Sequence, residues 1–286
     1  MPSATVVACP VCNDKSRRPV LALDGGWEIE RCGGCDRYVL SPEPADVRLE
    51  EFNDGSGYDG AFDFRDAILQ QHDRSLRALE RRVRPGALLD VGCGPGLLLE
   101  VARARGWKAT GVDPSPFSVT LARSLGFNTH QGMLEDLRLP EASFDALALL
   151  QVVEHVPDPR PLLAECRRLL RPGGALLVAT PNPASLLAKV KREGFNYWIP
   201  PIHCVWYPPA TLARLLQQAG FEVARRGTWS ARAAGLHDGA DIVAASRFGR
   251  RLPAKLRRVA GETVARAADA TGRGSIVEQI AIRGDA

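Results

Sequence analysis

The chain has 286 residues, of which 45% are hydrophobic, and a formal net charge of +4. This size and apolar content predict one ordinary folded domain with a small appendage, and the modest charge does not by itself indicate a nucleic-acid partner. No apolar run approaches the roughly 18 residues that span a bilayer, and the N-terminus lacks a secretory signal pattern, so we expect a cytoplasmic protein.

Two Cys-x-x-Cys pairs lie close to the N-terminus, Cys9 with Cys12 and Cys32 with Cys35. The 19 residues between the pairs suit four thiolates that bind one tetrahedral zinc ion. Two disulfides or a redox pair are the alternatives, but a reducing cytoplasm favours zinc. We therefore predict a zinc ribbon over residues 1–42, in which the metal is structural because four thiolates leave no coordination position open.

Residues 43–84 are predicted to hold a linker and the first helix of the core. Turn-forming residues are frequent between positions 41 and 60. Between 66 and 83, apolar residues recur every three to four positions, which indicates an amphipathic helix that packs on a sheet.

The segment from Leu88 to Gly96 joins an apolar strand to a glycine-rich turn that opens a helix. Gly92, Gly94 and Gly96 allow a tight bend and the close approach of a ligand, and the first amides of the helix can face that ligand. A second short strand ends at Asp113, near the spacing expected for a carboxylate that binds ribose hydroxyls. The two strand ends together predict one nucleoside site.

Strand and helix patterns alternate through the core, which we assign to residues 85–230. This alternation predicts a parallel sheet with helices on both faces and ligands at the carboxyl ends of the strands. The predicted elements are strands at 87–92, 108–113, 127–130, 145–150 and 174–180, and helices at 96–105, 116–125 and 160–170.

The turn reads Asp-x-Gly-x-Gly-x-Gly, and with it the chain resembles class I S-adenosylmethionine-dependent methyltransferases. The resemblance covers roughly residues 85 to 225 and implies a Rossmann-like fold that binds S-adenosylmethionine. In that fold a seven-stranded, mostly parallel sheet ends in an antiparallel hairpin, for which 221–224 and 275–282 are the candidate strands. Three later segments follow the family's order of motifs: Phe144–Leu147, Val153–Pro159 and Leu170–Val178.

The resemblance also implies which residues contact the cofactor. Met133 or Leu134 would make an apolar contact with adenine. Tyr58 would close over the methionine end, with an ordinary surface tyrosine as the alternative. The full predicted set is Asp90, Gly92, Cys93, Gly94, Gly96, Asp113, Pro114, Met133, Leu134, Gln151 and Tyr58.

Methyl transfer to a hydroxyl requires an aligned donor and acceptor and a base that takes the proton. His155 follows Glu154 after the fourth core strand, and His203 lies in an aromatic and proline-rich insertion at 182–208. This insertion resembles the acceptor cover of enzymes related to ubiquinone-biosynthesis O-methyltransferases, so its aromatic side chains would grip an apolar or sugar-like acceptor. We predict His203 as general base, with a structural histidine as the alternative, and Glu154 and His155 as auxiliary or site-shaping residues.

Relatives of the ubiquinone type hold a divalent ion through a Glu-x-x-Glu-His arrangement. This chain has Gln151 in place of the first carboxylate. Because that change removes a hard anionic ligand, the sequence argues against a catalytic metal.

The final region, 231–286, is predicted to contain a basic helical insertion and the last strand. Residues 247–258 hold six basic residues and no acidic one. Such a helix can lie on an anionic membrane, dock on nucleic acid, or expose its charges while its apolar side packs on the domain. Four residues would share one helical face: Leu252, Leu256, Val259 and Thr263.

The leading hypothesis is an enzyme that methylates a hydroxyl of a small-molecule, glycan or lipid-linked acceptor. Residues 247–267 would then offer a peripheral contact with the inner face of the membrane. The alternatives are an rRNA or tRNA methyltransferase that grips RNA with its ribbon, and a non-catalytic scaffold. Acidic and basic residues balance in the ribbon, which disfavours RNA, and the intact glycine turn with Asp113 disfavours the scaffold.

Overall fold

The computed structural model describes residues 7–44, 65–233, 236–245 and 251–284. Within these residues, a four-stranded sheet at the N-terminal end lies beside a seven-stranded central sheet, and a two-stranded hairpin follows near the C-terminal end. Most of the predicted linker, with Tyr58, falls outside the described residues.

Three short antiparallel strands form the N-terminal module: β1 (Arg17–Ala22), β2 (Glu28–Cys32) and β3 (Tyr38–Ser41). Along β2, Ile29 is buried and its neighbour Glu28 is exposed, because successive side chains of a strand point to opposite faces. The module therefore has an apolar face that must be covered by another part of the chain.

The central sheet follows a long amphipathic helix, α1 (Arg65–Leu79), whose Leu76 and Leu79 are fully buried. Apolar residues at helical spacing place one face of α1 against the core. Strands and helices then alternate as the sequence pattern predicted. The elements are β4 (Ala87–Val91), α2 (Leu97–Ala104), β5 (Lys108–Asp113), α3 (Pro116–Ser124), β6 (Asn128–Gln131), β7 (Phe144–Leu150), α4 (Arg160–Leu169) and β8 (Leu170–Pro181).

After β8 the chain leaves the central sheet and returns to it for two more strands, one at the edge of the sheet and one beside it, which are separated by a helical segment. The elements are α5 (Leu186–Lys191), β9 (Val205–Trp206), α6 (Pro209–Gln218), β10 (Phe221–Trp229), β11 (Arg232–Ala233), β12 (Leu236–His237), α7 (Asp238–Ala245), α8 (Ala254–Ala270) and β13 (Ile276–Arg283).

The strand order of the central sheet is β10-β13-β8-β7-β4-β5-β6. The strands β4 to β8 run parallel, while β13 is antiparallel to both of its neighbours. The predicted seven-stranded, mostly parallel sheet with a C-terminal antiparallel hairpin is therefore confirmed. Because the carboxyl ends of β4, β5 and β7 meet at one edge, the residues that follow these strands lie close together.

Helices cover both faces of the central sheet, so its middle strands are apolar on both sides. In β4, Leu88 and Leu89 point to opposite faces, yet neither is exposed to solvent. Leu89 belongs to a cluster that includes Leu163 of α4 and Leu212 of α6, whereas Leu88 packs in a second cluster with Leu76 of α1. This burial explains why the central strands read as continuous apolar runs.

The insertion at 182–208 contributes a strand to the N-terminal module. Its β9 pairs antiparallel with β3, where Tyr38 is opposite Trp206 and Val39 is opposite Val205. Nothing in the sequence indicated this pairing. A shared apolar cluster joins the two segments, made of Ile29, Leu40, Leu187, Ala188, Phe195, Trp198 and Trp206.

This cluster corrects the prediction that the aromatic residues of the insertion grip the acceptor. Phe195, Trp198 and Trp206 are buried against one another and against the apolar face of the ribbon. Their large apolar surface covers the face of the module that its own three strands leave open. These three side chains therefore support the ribbon and do not line an acceptor pocket.

The N-terminal module is also anchored to the domain at its other end. Arg37 is buried and donates to the carbonyl of Pro157 at 2.6 Å. Its guanidinium lies 5.8 Å from the ring centre of Tyr207. Two further bonds run from α6 to the module, from Thr211 to the Cys35 carbonyl at 2.5 Å and from Gln218 to the Val11 carbonyl at 2.9 Å.

The C-terminal helix packs through small residues, which corrects another prediction. Gly261, Ala265 and Ala268 are the buried positions of α8. Leu256 and Val259 are 53% and 64% exposed, so the alternative in which these apolar side chains pack on the domain is wrong. Small residues let the helix approach its neighbours closely and leave the larger side chains outside. Neither α8 nor any other helix in the described residues is long and apolar enough to cross a bilayer.

Candidate active site

The glycine turn after β4 has a backbone that other residues rarely adopt. Gly92, Gly94 and Gly96 all have positive φ angles, of 72°, 51° and 89°. A Cβ atom on Gly92 would lie 2.7 Å from a methyl group of Val152, and one on Gly96 would lie 2.8 Å from the ring of Phe127. Glycine is therefore required at these two positions both by the backbone angles and by the neighbouring side chains.

Two buried acidic residues, Asp113 and Asp90, lie at this turn. Asp113, at the end of β5, accepts from the Gly94 amide at 2.8 Å and from the Ser115 amide at 2.9 Å. Burial raises the pKa of Asp113, although the two amide bonds oppose that shift. Burial and the charge of Asp113 raise the pKa of Asp90 well above its usual range. The Asp113 carboxylate keeps further lone pairs, which suits a pair of ribose hydroxyls.

The other predicted cofactor residues lie along the same edge of the sheet. Cys93 is buried in the turn, and Pro114 follows Asp113 directly. After β6, Met133 is 41% exposed and Leu134 is buried, so Met133 is the one accessible to a ligand. Gln151 is exposed at the end of β7, next to the Val152 that contacts the turn.

A cluster of two histidines and one glutamate lies beside that edge. Potential ligand atoms of Glu154, His155 and His203 all lie within 4.8 Å of one another, and the two imidazole rings meet edge to face at 4.8 Å. Glu154 is fully buried and accepts from Thr180 at 2.9 Å through one oxygen. Its other oxygen has no partner among the described residues.

The hydrogen bonds of the histidines define which nitrogen carries the proton. His203 Nδ1 lies 2.9 Å from the Tyr197 carbonyl, and His155 Nδ1 lies 2.9 Å from the Ile202 carbonyl. Because a carbonyl only accepts, Nδ1 of each neutral ring must donate. The Nε2 atom of His203 then carries the lone pair that can accept a proton.

Burial controls the charge of this cluster. It lowers the pKa of His203 to about 3, with a further contribution from His155, while the Tyr197 carbonyl opposes the shift. Burial also lowers the pKa of His155 and raises the pKa of Glu154 to about 8. At neutral pH the cluster therefore consists of two neutral imidazoles and a largely protonated carboxyl group.

These groups lack one carboxylate of the divalent site that the resemblance to ubiquinone-type enzymes implies. Two of the three donors are imidazoles, whereas magnesium prefers oxygen ligands. Gln151 is an amide where a further carboxylate would be needed. We therefore derive no catalytic step through a metal at this cluster.

The four predicted zinc ligands converge in the N-terminal module. The Sγ atoms of Cys9 and Cys35 are 3.5 Å apart, those of Cys12 and Cys32 are 3.4 Å apart, and all four lie within 4.8 Å of one another. All four cysteines are free thiols. Zinc–sulfur bonds of about 2.3 Å in a tetrahedron separate the sulfurs by roughly 3.8 Å, so this set fits a zinc ion.

Three residues of the site were missed by the sequence reasoning. Thr180 holds Glu154, the Tyr197 carbonyl orients His203, and Arg37 ties the ribbon to the loop after the cluster. The position of Thr180 at the end of a core strand was the available signal. The other two act through contacts between distant segments, which no local pattern reveals.

A family model described as a methyltransferase domain matches residues 64–225, which is more than half of the chain. The chain belongs to this methyltransferase family. Membership supports S-adenosylmethionine as the cofactor of the glycine turn. The match leaves out the ribbon and the C-terminal helix.

Sequence relatives agree with this membership. A probable S-adenosylmethionine-dependent methyltransferase of Mycolicibacterium smegmatis is 34% identical over 160 residues, which cover 54% of this chain and 59% of that protein. The ubiquinone biosynthesis O-methyltransferase of Cereibacter sphaeroides is 36% identical over 153 residues, which cover 49% of this chain and 62% of that protein. The chain thus spans about three fifths of the length of these curated relatives.

Solved structures agree in fold. A SAM-dependent methyltransferase of Thermotoga maritima aligns with a TM-score of 0.59 and 20% identity, covering 82% of this chain and 98% of that one. A SAM-dependent methyltransferase of Archaeoglobus fulgidus aligns with a TM-score of 0.56 and 20% identity, covering 77% of this chain and 94% of that one. The central domain therefore has the Rossmann-like methyltransferase fold.

Proposed function

We propose that this protein is an S-adenosylmethionine-dependent O-methyltransferase whose acceptor is a hydroxyl of a small-molecule, glycan or lipid-linked compound. Family membership and the glycine turn support the methyl donor. Relatives named ubiquinone biosynthesis O-methyltransferase, at 36% identity, support oxygen as the methylated atom. The observation that carries the proposal is His203, a buried neutral imidazole whose Nε2 is left to accept a proton.

The cofactor is held by backbone and carboxylate groups of the glycine edge, the segment from Asp90 to Gly96 together with Asp113. Amides at the start of α2 face the ligand, and Asp113 binds the ribose hydroxyls. When bound, S-adenosylmethionine supplies an electrophilic methyl group attached to a positively charged sulfur. Because Gly94 has no side chain, the backbone at this position can approach that ligand closely.

His203 takes the proton of the acceptor hydroxyl as the new carbon–oxygen bond forms. Its Nδ1 remains bonded to the Tyr197 carbonyl, which keeps the ring in place and leaves Nε2 as the nitrogen that accepts the proton. Burial keeps His203 neutral before the reaction, and because its low pKa also makes it a weak base, proton transfer must coincide with formation of the carbon–oxygen bond. Because methylation consumes the positive charge of the donor, the imidazole can carry a positive charge afterwards without repulsion from it.

We call the cluster of Glu154, His155 and His203, with the insertion that carries His203, the acceptor side of the site. The ribbon supports this acceptor side through a structural zinc ion bound by its four cysteines. The insertion that carries His203 shares both a sheet and an apolar cluster with the ribbon. The Leu40 amide bonds to the carbonyl of Cys204, the residue after His203, at 2.9 Å. A ribbon held by zinc would thus fix the backbone on which the proposed base is carried.

The test uses methyl-labelled S-adenosylmethionine with fractionated small-molecule, glycolipid and RNA pools, and mass spectrometry of the products. We expect label in a hydroxyl compound of the first two pools. Label confined to RNA, or no label despite tight cofactor binding, would overturn the O-methylation proposal in favour of the RNA enzyme or the scaffold.

The role of the base is tested with His203→Asn, in which the side-chain amide can still donate to the Tyr197 carbonyl but the Nε2 acceptor is lost. We expect kcat to fall at least a hundredfold, a typical contribution of a general base, with little change in cofactor affinity. His155→Asn is the matched control, for which we expect a smaller loss. Equal activity of wild type and His203→Asn across pH would remove His203 from this role.

A further inference from the structure

The buried side of α8 is formed by small residues. A Cβ atom on Gly239 of α7 would collide with the Gly261 carbonyl of α8, so the two backbones are in direct contact. Ala265 and Ala268 complete the buried face. In the last turn of α8, Asp269 accepts a hydrogen bond at 2.7 Å from Ser230, the residue after β10. These contacts fix which side of α8 faces outward.

The outward side combines aliphatic and basic side chains. Leu256 and Val259 rank among the most exposed large apolar residues of the described chain. Lys255 and Arg258 are their immediate neighbours and are also exposed. We call this surface, with Arg251 three residues before the helix, the basic–aliphatic face.

The stretch of sequence that carries the basic–aliphatic face has charges of one sign only. No acidic residue occurs in the sequence between Asp241 and Glu262, whereas six basic residues do. An anionic surface is therefore complementary to it. The two exposed aliphatic side chains favour an anionic surface with an apolar phase beneath it, because a nucleic-acid backbone offers no place to bury them.

We propose that the basic–aliphatic face docks on an anionic membrane surface. Leu256 and Val259 enter the boundary between headgroups and acyl chains, while the basic residues remain at the level of the lipid phosphates. Each basic residue near such a surface contributes roughly a fivefold gain in partition. Docking requires no methyl transfer, so this proposal is tested independently of the proposed function.

Docking would orient the acceptor side relative to the bilayer, since the segment after α8 is bonded to the insertion. The Leu186 amide bonds to the Arg273 carbonyl at 3.0 Å, and the Asn182 side chain donates to the Gly274 carbonyl at 2.8 Å. Lys191 of α5 pairs with Asp241 of α7 at 3.1 Å. The face and the insertion therefore belong to one connected unit.

The experiment is co-sedimentation of the full chain with vesicles of phosphatidylcholine and phosphatidylglycerol in equal amounts, and with vesicles of phosphatidylcholine alone. We expect binding to the anionic vesicles that weakens with added salt. Leu256→Ser with Val259→Ser, and separately Lys255→Glu with Arg258→Glu, should each lower partition at least about tenfold. All four residues are exposed, and thermal melting checks that the variants remain folded.

The matched control is Leu125→Ser with Arg138→Glu, an exposed leucine and an exposed arginine elsewhere on the surface. This variant should bind the anionic vesicles like wild type. Absence of vesicle binding, or equal loss in the control, would overturn the proposal. Tight binding to an RNA duplex that is insensitive to Leu256→Ser with Val259→Ser, without vesicle binding, would assign the face to nucleic acid instead.

Discussion

The glycine edge and the acceptor side of this protein are built in opposite ways. At the glycine edge, all groups from Asp90 to Asp113 come from two neighbouring parallel strands and the turn between strand and helix. On the acceptor side, the ring of His155 bonds to the carbonyl of Ile202, which lies 47 residues further along the chain and next to His203. The supporting bond from Gln218 to Val11 spans 207 residues. The first site is local in the sequence, and the second is a product of tertiary packing.

This contrast implies that the two sides can be damaged separately. The glycine edge depends on backbone angles and on the absence of side chains. The acceptor side depends on the four-cysteine module, on a shared apolar cluster and on a few long-range bonds. Variants that remove one set of features should leave the other set intact.

The largest effect is expected for Gly94→Val, which should reduce cofactor affinity at least a hundredfold. Gly94 has a φ of 51°, which strains a β-branched residue and would displace the amide that bonds to Asp113. Gly106→Val is the control, because Gly106 also has a positive φ, of 84°, but no atom within 4 Å of an added Cβ. Calorimetry that gave equal affinity for both variants would contradict the cofactor assignment.

Cys32→Ser should abolish zinc binding and lower the free energy of unfolding by several kcal/mol, because metal binding supplies folding energy to so small a module. A strong chelator should have the same effect on wild type. Cofactor affinity should change little, which separates the two sides of the site. Metal analysis and thermal melting provide the measurements.

Cys166→Ser is the control for the zinc prediction, since Cys166 is fully buried in α4 away from the four ligands. It should lose stability and retain zinc. An unchanged metal stoichiometry in Cys32→Ser would exclude a site of four thiolates.

Arg37→Met should cost about 2 to 3 kcal/mol of stability and impair turnover more than cofactor binding. The change leaves the Pro157 carbonyl without the donor that the buried Arg37 supplies and removes the cation beside Tyr207. Arg31→Met is the matched control, because Arg31 pairs with Asp36 on the surface of the ribbon and such pairs contribute about 0 to 1 kcal/mol. Similar losses in both variants would show that Arg37 does not anchor the ribbon.

Glu154→Gln should change the pH dependence of stability. Burial raises the pKa of Glu154 from 4.5 to about 8, so its protonated form stabilises the fold fully below pH 4.5, and this contribution is lost as the pH rises to about 8. As the pH rises over this range, the free energy of unfolding of wild type should therefore fall by up to a few kcal/mol relative to that of the variant. The lowered pKa values of His155 and His203 make stability fall on acidification instead, but both proteins share them.

Denaturant unfolding of the two proteins at several pH values measures this difference. If the free energy of unfolding had the same dependence on pH in wild type and Glu154→Gln, a raised pKa of Glu154 would be contradicted.

The core elements were predictable because their patterns are local. The apolar run of β4, the glycine turn and the strand that ends at Asp113 follow from residue types and spacing, and the structure has them within one or two residues of the predicted bounds. The four cysteines were predictable for the same reason. Their convergence needs only the turn of each Cys-x-x-Cys pair and the short hairpin between them.

The predictions failed where distant segments compete for the same surface. Trp198 and Trp206 looked available to an acceptor, but they cover the open face of the ribbon. In one of the three alternatives left open for the last helix, Leu256 and Val259 form its packing side, but Gly261 and its small neighbours pack against the domain instead. In both cases the outcome depends on which surfaces meet in three dimensions.

The amino-acid sequence by itself determined the alternating core, the glycine edge and the set of four converging cysteines, since backbone freedom at glycine and residue spacing at cysteine act over short stretches of chain. Only the tertiary structure decided that β9 completes the ribbon sheet, that the two histidines meet beside Glu154 and that α8 turns its aliphatic side outward. The physical reason is that burial is shared among all segments, so the partner of an apolar face is chosen by the whole fold.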